Sequence, residues 1–285
     1  MEKRLDHRRK YYMVFDCETA TLPFASKYEG KAKKDVAIAK PLIYDFAYQI
    51  IDCKGRVYRR RSYLVTEIFS VPAVFNTAYF ASKRPIYIER LKNGEITLKS
   101  WEEITEIFLS DLEEVVAVGA YNSIFDFKKA IPFTEEYVKN LYSDNYFEWE
   151  RRQEWICDKI AEGGKQEKNP NFDKDNFVFR EKKYPLFDVM ALSCEHLINN
   201  DDYKRTCINM GWRTPTGKYF PINAEKVYAY VSGNYDFEES HTAIEDAEIE
   251  SYLFAMATKK TKHNFTKGLV YFPFRILGKV ENFSY

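Results

Sequence analysis

Residues 13–19, MVFDCET, constrain the fold of this chain more than any other stretch. Three apolar residues run directly into two carboxylates, which predicts a buried strand whose end bears Asp16 and Glu18. Because side chains alternate along a strand, these two acids point to the same face. Two like charges about 4 Å apart repel by about 4 kcal/mol near a protein surface, so the pair indicates a nearby cation. Taken alone, the pattern is also typical of a strand that leaves the core into solvent.

The length and charge favour a single enzyme-sized α/β domain with insertions. The 285 residues include 43 Lys plus Arg and 43 Asp plus Glu, so the formal net charge is zero. This argues against a protein that coats nucleic acid by overall charge, but not against an enzyme that holds one strand end in a local groove. Aromatic residues make up 17% of the chain, and we interpret most of them as core packing.

The cysteines and the amino terminus predict a soluble cytoplasmic protein. The five cysteines are odd in number and show no CxxC spacing, which is typical of reduced thiols rather than a disulfide framework or a zinc site. The apolar run at residues 11–15 is too short for a signal peptide or a membrane span. We therefore expect no membrane association.

A β-hairpin is predicted after the first strand, which covers about residues 11–15. Residues 43–51 alternate in polarity, residues 52–55 supply a turn, and residues 57–65 return. The arginines at 59–61 lie inside the return strand, where such a run usually protects an edge or forms an exposed face.

Two helices are predicted on either side of a short apolar strand at residues 115–118. Ser100 and Glu103 form a capping-box pattern that opens a helix to about residue 109. Asn122 is a candidate cap for the next helix. Asp126 would then lie in the first turn and point toward the end of the strand, where ligands collect in open α/β sheets.

The middle of the chain is predicted to contain an insertion. Residues 142–160 have aromatic residues at helical spacing, whereas residues 163–183 are polar and typical of an insertion or a flexible lid. Asp188 is a candidate cap for a helix to about residue 198. A turn-rich loop at 212–221 precedes a short helix at 224–231.

The last predicted element begins next to a histidine. Thr242 and Glu245 form a second capping-box pattern before an apolar stripe. His241 would precede the cap and Asp246 would be the fourth helical residue, two positions that meet in a hydrophobic staple, so we expect the imidazole and the carboxylate to lie together. Residues 258–285 contain the apolar run GLVYFPFRIL, which we interpret as a packing or partner surface.

Three short motifs, in order, resemble the DEDDh exonucleases, the ribonuclease H-like group that includes ribonuclease T and the polymerase proofreading subunits. They are FDCETA, NSIFD and HTAIEDAE, and FDVMAL is similar to an aspartate-led helix of that family. The resemblance covers about residues 10–130 and 185–258. It implies one exonuclease domain with a ribonuclease H-like mixed sheet flanked by helices. A largely helical insertion at 133–183 and a C-terminal extension at 259–285 lie outside it.

The resemblance implies a site for two divalent ions. A ligand set made only of carboxylates selects Mg²⁺ or Mn²⁺ over zinc. Asp16 would bridge both ions, Glu18 and Asp246 would complete one, and Asp126 would hold the other, partly through water. His241 would take the proton from the attacking water as the general base. Considered one at a time, these residues also have ordinary structural explanations. His241 is typical of a solvated helix start, and Asp126 and Asp246 are typical of the acids that the helix dipole favours in a first turn.

By the same resemblance, the substrate would contact Thr19, Asn122 and Phe125. Two departures concern this part of the site. Tyr121 stands where family members often have histidine, and residues 20–21, Ala-Thr, stand where they often have glycine. Neither departure removes an expected metal ligand. Both affect how the end of the substrate would be held.

The sequence thus predicts a metal-dependent 3′–5′ exonuclease that acts on single-stranded DNA or RNA ends. One alternative is a catalytically weak nucleic-acid-binding or replication accessory module that retains the fold. Another is an endonuclease built on the same metal pair. A replication or repair protein could bind the insertion or the tail. We assign no role to the other three histidines, His7, His196 and His263.

Overall fold

The computed structural model describes residues 5–6, 8–164, 173, 175–259 and 277–283. Within these residues the chain is an α/β fold with a seven-stranded mixed sheet flanked by helices, which confirms the predicted fold class and is consistent with a ribonuclease H-like arrangement. The strands are β1 (Tyr12–Ala20), β2 (Leu42–Ile51), β3 (Val57–Val65), β4 (Thr97–Lys99), β5 (Ala117–Ala120), β6 (Asn176–Phe179) and β7 (Lys182–Asp188).

Helices cover both faces of this sheet. They are α1 (Gly30–Ala39), α2 (Thr66–Phe69), α3 (Pro72–Phe75), α4 (Arg84–Lys92), α5 (Trp101–Leu112), α6 (Ser123–Phe125), α7 (Ile131–Leu141), α8 (Tyr146–Ala161), α9 (Val189–Leu197), α10 (Asp201–Asn209), α11 (Ala224–Ser232) and α12 (Ala243–Thr258). Among the described residues, no helix is long and apolar enough to span a membrane.

The strand order β4-β3-β2-β1-β5-β7-β6 places β1 at the centre of the sheet. β1 pairs parallel with β5 and antiparallel with β2, and β5 pairs parallel with β7. β1, β5 and β7 therefore run in the same direction, and their carboxyl ends lie at one edge of the sheet. Ligand sites in open α/β sheets form at such an edge.

The two faces of β1 belong to two different parts of the core. Met13 and Phe15 pack on one face, in a cluster with side chains from α5 and α7. Tyr12 and Val14 pack on the other face, with Leu253 of α12. By the alternation of a strand, Asp16 and Glu18 continue the face that α12 covers.

The predicted hairpin is confirmed as β2 and β3, with one difference in β2. All ten residues of this strand are buried, so the expected alternation of buried and exposed positions is wrong. The reason is that α12 covers one face of β2 and α7 the other, which leaves neither face in water.

The arginine run also differs from the prediction. Arg60 is exposed and pairs with Glu248 at 2.8 Å. Arg59 and Arg61, however, are mostly buried and form ion pairs with the buried carboxylate of Asp111 on α5. Two of the three arginines therefore stabilise the packing of α5 on the sheet and do not form an exposed face.

The polar stretch at 163–183 proves to be partly sheet. Residues 165–172 and 174 lie outside the described residues, but β6 and β7 form an antiparallel hairpin on the edge of the sheet. The two residues between them, Arg180 and Glu181, have φ values of +44° and +68°. Paired positive φ values are typical of tight hairpin turns, although such turns usually contain Asn-Gly or Asp-Gly.

Several helix predictions are confirmed. α5 begins with the predicted capping box, in which Ser100 and Glu103 bond reciprocally. Asp188 caps α9, α8 lies within the aromatic stretch, and α11 follows the turn-rich loop. In the C-terminal extension, residues 277–283 are described and Leu277 is buried in the core cluster that also contains side chains of α9, α10 and α12, whereas the rest of the GLVYFPFRIL run lies outside the described residues.

Candidate active site

The first two predicted acids lie near the end of β1, which extends five residues further than the apolar run suggested, through Glu18 to Ala20. The register with β2 is regular from Tyr12 to Glu18 and then shifts by one residue. The residue skipped in the register is Tyr44 of β2, so the irregularity falls directly after Glu18 but the extra residue belongs to the neighbouring strand. Asp16 and Glu18 are both partly buried.

Asp126 is brought to the same edge by the segment that follows β5. It comes directly after the short helix α6, starts a π-helical turn, and is only 3% exposed. The thiol of Cys17 donates to its Oδ1 at 3.3 Å. Cys17 belongs to the face of β1 opposite Asp16 and Glu18, so this contact holds Asp126 against the strand itself. The effect of Asp126 on the pKa of Asp16 shows that these two carboxylates also lie near each other.

Asn122 does not act as the predicted cap. Its φ is +73° and its side chain makes no capping hydrogen bond. The carboxylate of Asp188 replaces it, accepting the Ser123 N–H at 3.0 Å with one oxygen and the Ala191 N–H at 3.0 Å with the other. Asp188 thus caps α6 and α9 together, which holds the loop before Asp126 in place.

The start of α12 agrees with the prediction, but the capping box does not form. The hydroxyl of Thr242 donates to the carboxylate of Glu245 at 2.7 Å instead of accepting a backbone N–H. Arg90 of α4 donates to both side chains, at 3.1 Å and 2.7 Å. The first N–H of the helix, that of Ala243, donates to the buried carboxylate of Asp45 at 3.0 Å.

His241 and Asp246 lie together, as predicted. Ligand atoms of Glu18, His241 and Asp246 are all within 4.8 Å of one another. His241 has a φ of +50°, and its ring stacks on that of Phe80 at 4.4 Å between centroids and 15° between planes. The left-handed backbone and the stacked ring together aim the imidazole at the acids of β1.

The acids form one electrostatic group. Burial is the largest cause that raises the pKa of Asp16 well above its usual range. Four neighbouring carboxylates raise the pKa of Asp16 further: Glu250, Asp246, Asp126 and Glu18. Burial likewise raises the pKa of Asp126 and of Asp246 to about 8. Three of the four predicted metal ligands thus raise the pKa of the fourth, Asp16.

The pKa of the His241 imidazole is shifted downward, whereas those of the acids are raised. Burial lowers the pKa of His241, and the nearby ammonium of Lys83 lowers it further. The ring is therefore neutral at pH 7 and can accept a proton. On its other side, ligand atoms of Glu225 and Glu239 also lie within 4.8 Å of His241.

The predicted substrate contacts remain predictions, but their positions are clear. Thr19 is partly buried next to Glu18, Asn122 is exposed in the loop after β5, and Phe125 is half-buried against the core. A further aromatic side chain contacts Phe80, whose ring stacks on the imidazole. Tyr79 is 90% exposed and contacts Phe80 edge-on at 4.8 Å between centroids.

The sequence analysis missed two groups at this site. One is Glu250, a buried acid on α12 four residues after Asp246, a spacing that places both on one helix face. The other is Lys83, whose ammonium donates to the carbonyl of Ser240 and lies 4.7 Å from the centroid of the Phe80 ring. The i, i+4 spacing places Glu250 on the same helix face as Asp246 but does not show that this face is buried, and nothing local connects Lys83 with residue 240.

The acids fit a divalent cation. Oδ1 of Asp246 is buried and has no hydrogen-bond partner among the described residues. Burial, and for Asp16 and Glu18 also the neighbouring acids, raises the pKa values of Asp16, Glu18 and Asp126, and the ammonium of Lys83 lowers that of Glu18 only in part. Hard oxygen ligands with uncompensated negative charge are the donor set that Mg²⁺ and Mn²⁺ prefer.

Comparison of the chain with models of known protein families, with curated proteins and with solved structures gave no match.

Proposed function

We propose that this chain is a metal-dependent 3′–5′ exonuclease of the DEDDh type that hydrolyses phosphodiester bonds at the 3′ ends of single-stranded DNA or RNA. The observation that supports this most strongly is the meeting of acids from distant parts of the chain with one neutral imidazole. Glu18 of β1 and Asp246 of α12 approach His241, and Asp16 and Asp126 belong to the same group of acids by their electrostatic effects.

The four carboxylates would hold two Mg²⁺ or Mn²⁺ ions, and such ions lower the pKa of an attacking water and stabilise the leaving oxygen. His241 would accept a proton from that water, since its lowered pKa keeps the ring neutral at pH 7. The attack forms one P–O bond and breaks the bond to the 3′ oxygen of the preceding nucleotide. The products are a nucleoside 5′-monophosphate and a strand with a free 3′ hydroxyl.

The segment 79–83 would face the substrate. Tyr79 offers an exposed ring next to Phe80, which stacks on the imidazole, and an aromatic face can stack on any base. Lys83 is a cation at the acid group, where a phosphate would otherwise meet only negative charge. We also propose that the protein acts in the cytoplasm, where its five cysteines, all free, stay reduced.

A time course on matched oligonucleotides tests this function. Purified protein with Mn²⁺ or Mg²⁺ is incubated with a DNA and an RNA strand of the same sequence, each labelled at the 5′ end. We expect a ladder that shortens one nucleotide at a time from the 3′ end and that disappears with EDTA or in Glu18→Gln. A labelled strand that stays intact under all conditions would contradict the proposal.

A circular single strand serves as the control for the mode of cleavage. An exonuclease leaves it intact because it has no end, whereas an endonuclease on the same metal pair opens it. Binding of the linear strand without cleavage would instead favour an accessory module. The DNA and RNA arms also show which sugar the site prefers.

A further inference from the structure

Glu250 is a buried carboxylate in the wall of the candidate site. It lies on α12, one turn after Asp246, and is 3% exposed. One of its oxygens accepts the backbone N–H of Tyr121 at 3.0 Å. Tyr121 is the first residue after β5, in the loop that leads to Asp126. Glu250 therefore joins the two chain segments that supply two of the expected metal ligands.

The charge of Glu250 has no counterion in the described part of the chain. None of the ion pairs formed there includes it, although Arg60 pairs with the neighbouring Glu248. Its charged neighbours are acids: after burial, Asp126, Asp246 and Glu239 raise its pKa well above the usual range, and Glu250 in turn raises that of Asp16. Leaving a carboxylate in the interior beside like charges costs several kcal/mol unless a cation or a proton offsets it.

We propose that Glu250 is a fifth acidic group of the metal centre, whose charge strengthens the binding of divalent ions held by Asp16, Asp126 and Asp246. This inference rests on the metal site of the proposed function and adds a residue that the resemblance does not supply. Asp16 is the common neighbour, since both Glu250 and Asp126 act on it electrostatically. A cation at Asp16 would therefore be attracted by Glu250 as well.

The hydrogen bond to Tyr121 gives Glu250 a second, positioning effect. By holding the first residue after β5, it fixes the distance between α12 and the loop that bears Asp126. The two effects can be separated by one substitution. Glutamine retains an oxygen that can accept the Tyr121 N–H, but it removes the charge.

The test is a calorimetric titration of the metal-free protein with Mn²⁺ at pH 7.5. We expect Glu250→Gln to bind Mn²⁺ about 10- to 100-fold more weakly than the wild type, as is usual when a group next to the metal ligands is lost. Glu248→Gln is the matched control, because Glu248 is on the same helix, 43% exposed and paired with Arg60. We expect its affinity to equal that of the wild type.

Equal affinity of Glu250→Gln and the wild type would overturn the inference and leave Glu250 a structural acid. Circular dichroism of each metal-free variant first establishes that it is folded. If the glutamine variant is not folded, Glu250→Met removes the charge and the acceptor of the Tyr121 N–H together while filling a similar volume, and an affinity equal to that of the wild type overturns both effects of Glu250.

The titration separates this inference from the proposed function. If the wild type binds Mn²⁺ and Glu250→Gln binds it more weakly, but neither cleaves an oligonucleotide, only the exonuclease proposal fails. If both cleave the strand and bind Mn²⁺ equally, only the role of Glu250 fails. A wild type that binds no Mn²⁺ contradicts the metal centre and the role of Glu250 together.

Discussion

Buried carboxylates occur in two regions of this molecule. In one region they contact arginines, and in the other they lie beside other acids. On the α5 side of the sheet, Asp111 is 3% exposed and contacts Arg59, Arg61 and the hydroxyl of Tyr48. At the end of β1, several acids are buried beside one another. Of the described cations, Lys83 and Arg90 lie near that group, and Arg90 pairs with Glu245 on its margin.

The comparison separates structural acids from functional ones. The charge of Asp111 is offset within the protein, so its role is complete in the folded chain. The acids around Asp16 are compensated only in part, by Lys83, so that a proton or a bound cation would offset the remaining charge. Burial is therefore similar in the two regions, and the presence of internal partners distinguishes them.

Substitution of a metal ligand is expected to have the largest effect. Asp246→Asn and Glu18→Gln should each lower turnover of a single-stranded oligonucleotide by about 10⁴-fold, because several kcal/mol of transition-state stabilisation are lost with the ions. Neither variant should be less stable than the wild type in EDTA, since each removes an uncompensated buried charge. Turnover at the wild-type rate in either variant would exclude that residue from the site.

Loss of the imidazole is expected to be the next largest effect. His241→Ala should lower the rate by about 10²- to 10⁴-fold, the usual contribution of a positioned base. Because the pKa of His241 is lowered, the wild-type rate should rise with pH below neutrality as the ring loses its proton. Rates measured from pH 5 to 8 should show this rise in the wild type, and the same rise in the alanine variant would contradict the assignment.

A substitution at Asp111, whose charge is offset within the protein, should change the stability of the fold but not the affinity for metal ions. Asp111→Asn leaves Arg59 and Arg61 without their shared carboxylate and should lower the free energy of unfolding by about 3 kcal/mol. Urea denaturation measures this change. Affinity for Mn²⁺ should stay at the wild-type value, and a marked loss of it would mean that the two regions are coupled.

The stability of the metal-free protein should depend on pH in an unusual direction. The pKa values of Asp126 and Asp246 are about 8 when folded, above the usual value of 3.8, so the folded state binds protons more tightly. Their contribution to stability is present below pH 4 and is lost as pH rises through about 8. His241, with its lowered pKa, has the opposite effect, but the acids outnumber it.

We therefore expect the Tm in EDTA to fall by about 5 °C or more between pH 5.5 and 8.5. Mn²⁺ should raise the Tm more at pH 8.5 than at pH 5.5, since protons compete with the ion for the same oxygens. Asp246→Asn should show a smaller fall than the wild type. A Tm in EDTA that rises over this range would contradict the uncompensated acid group.

Local sequence patterns predicted the elements that depend on local contacts. The apolar run before Asp16, the hairpin turn and the capping box of Ser100 with Glu103 all involve residues close in the chain. The meeting of His241 with Asp246 was also predictable, because a helix start brings the preceding residue near the first turn.

Long-range contacts account for most of the errors. Arg90 binds Thr242 and Glu245, so the side chains that would form a capping box are engaged elsewhere. Asp188 similarly takes over the cap expected of Asn122. In each case a charged partner from a distant part of the chain competes with the local pattern, and its position cannot be inferred before the fold is known.

Two further errors have other causes. The hairpin of β6 and β7 was missed because its turn is Arg180-Glu181 instead of the usual Asn-Gly or Asp-Gly. Glu250 was missed because an acid at i+4 from another acid on a helix usually indicates a solvated face. Only the packing of α12 on β1 shows that this face is buried.

Anomalous X-ray diffraction from crystals grown with Mn²⁺ tests the proposed metal centre most directly. We expect two anomalous peaks about 3.5 to 4 Å apart, surrounded by Asp16, Glu18, Asp126 and Asp246. A map with no peak at these oxygens, or with its only peak between Glu225, Glu239 and His241, would contradict the proposal that the uncompensated acids form a two-metal site.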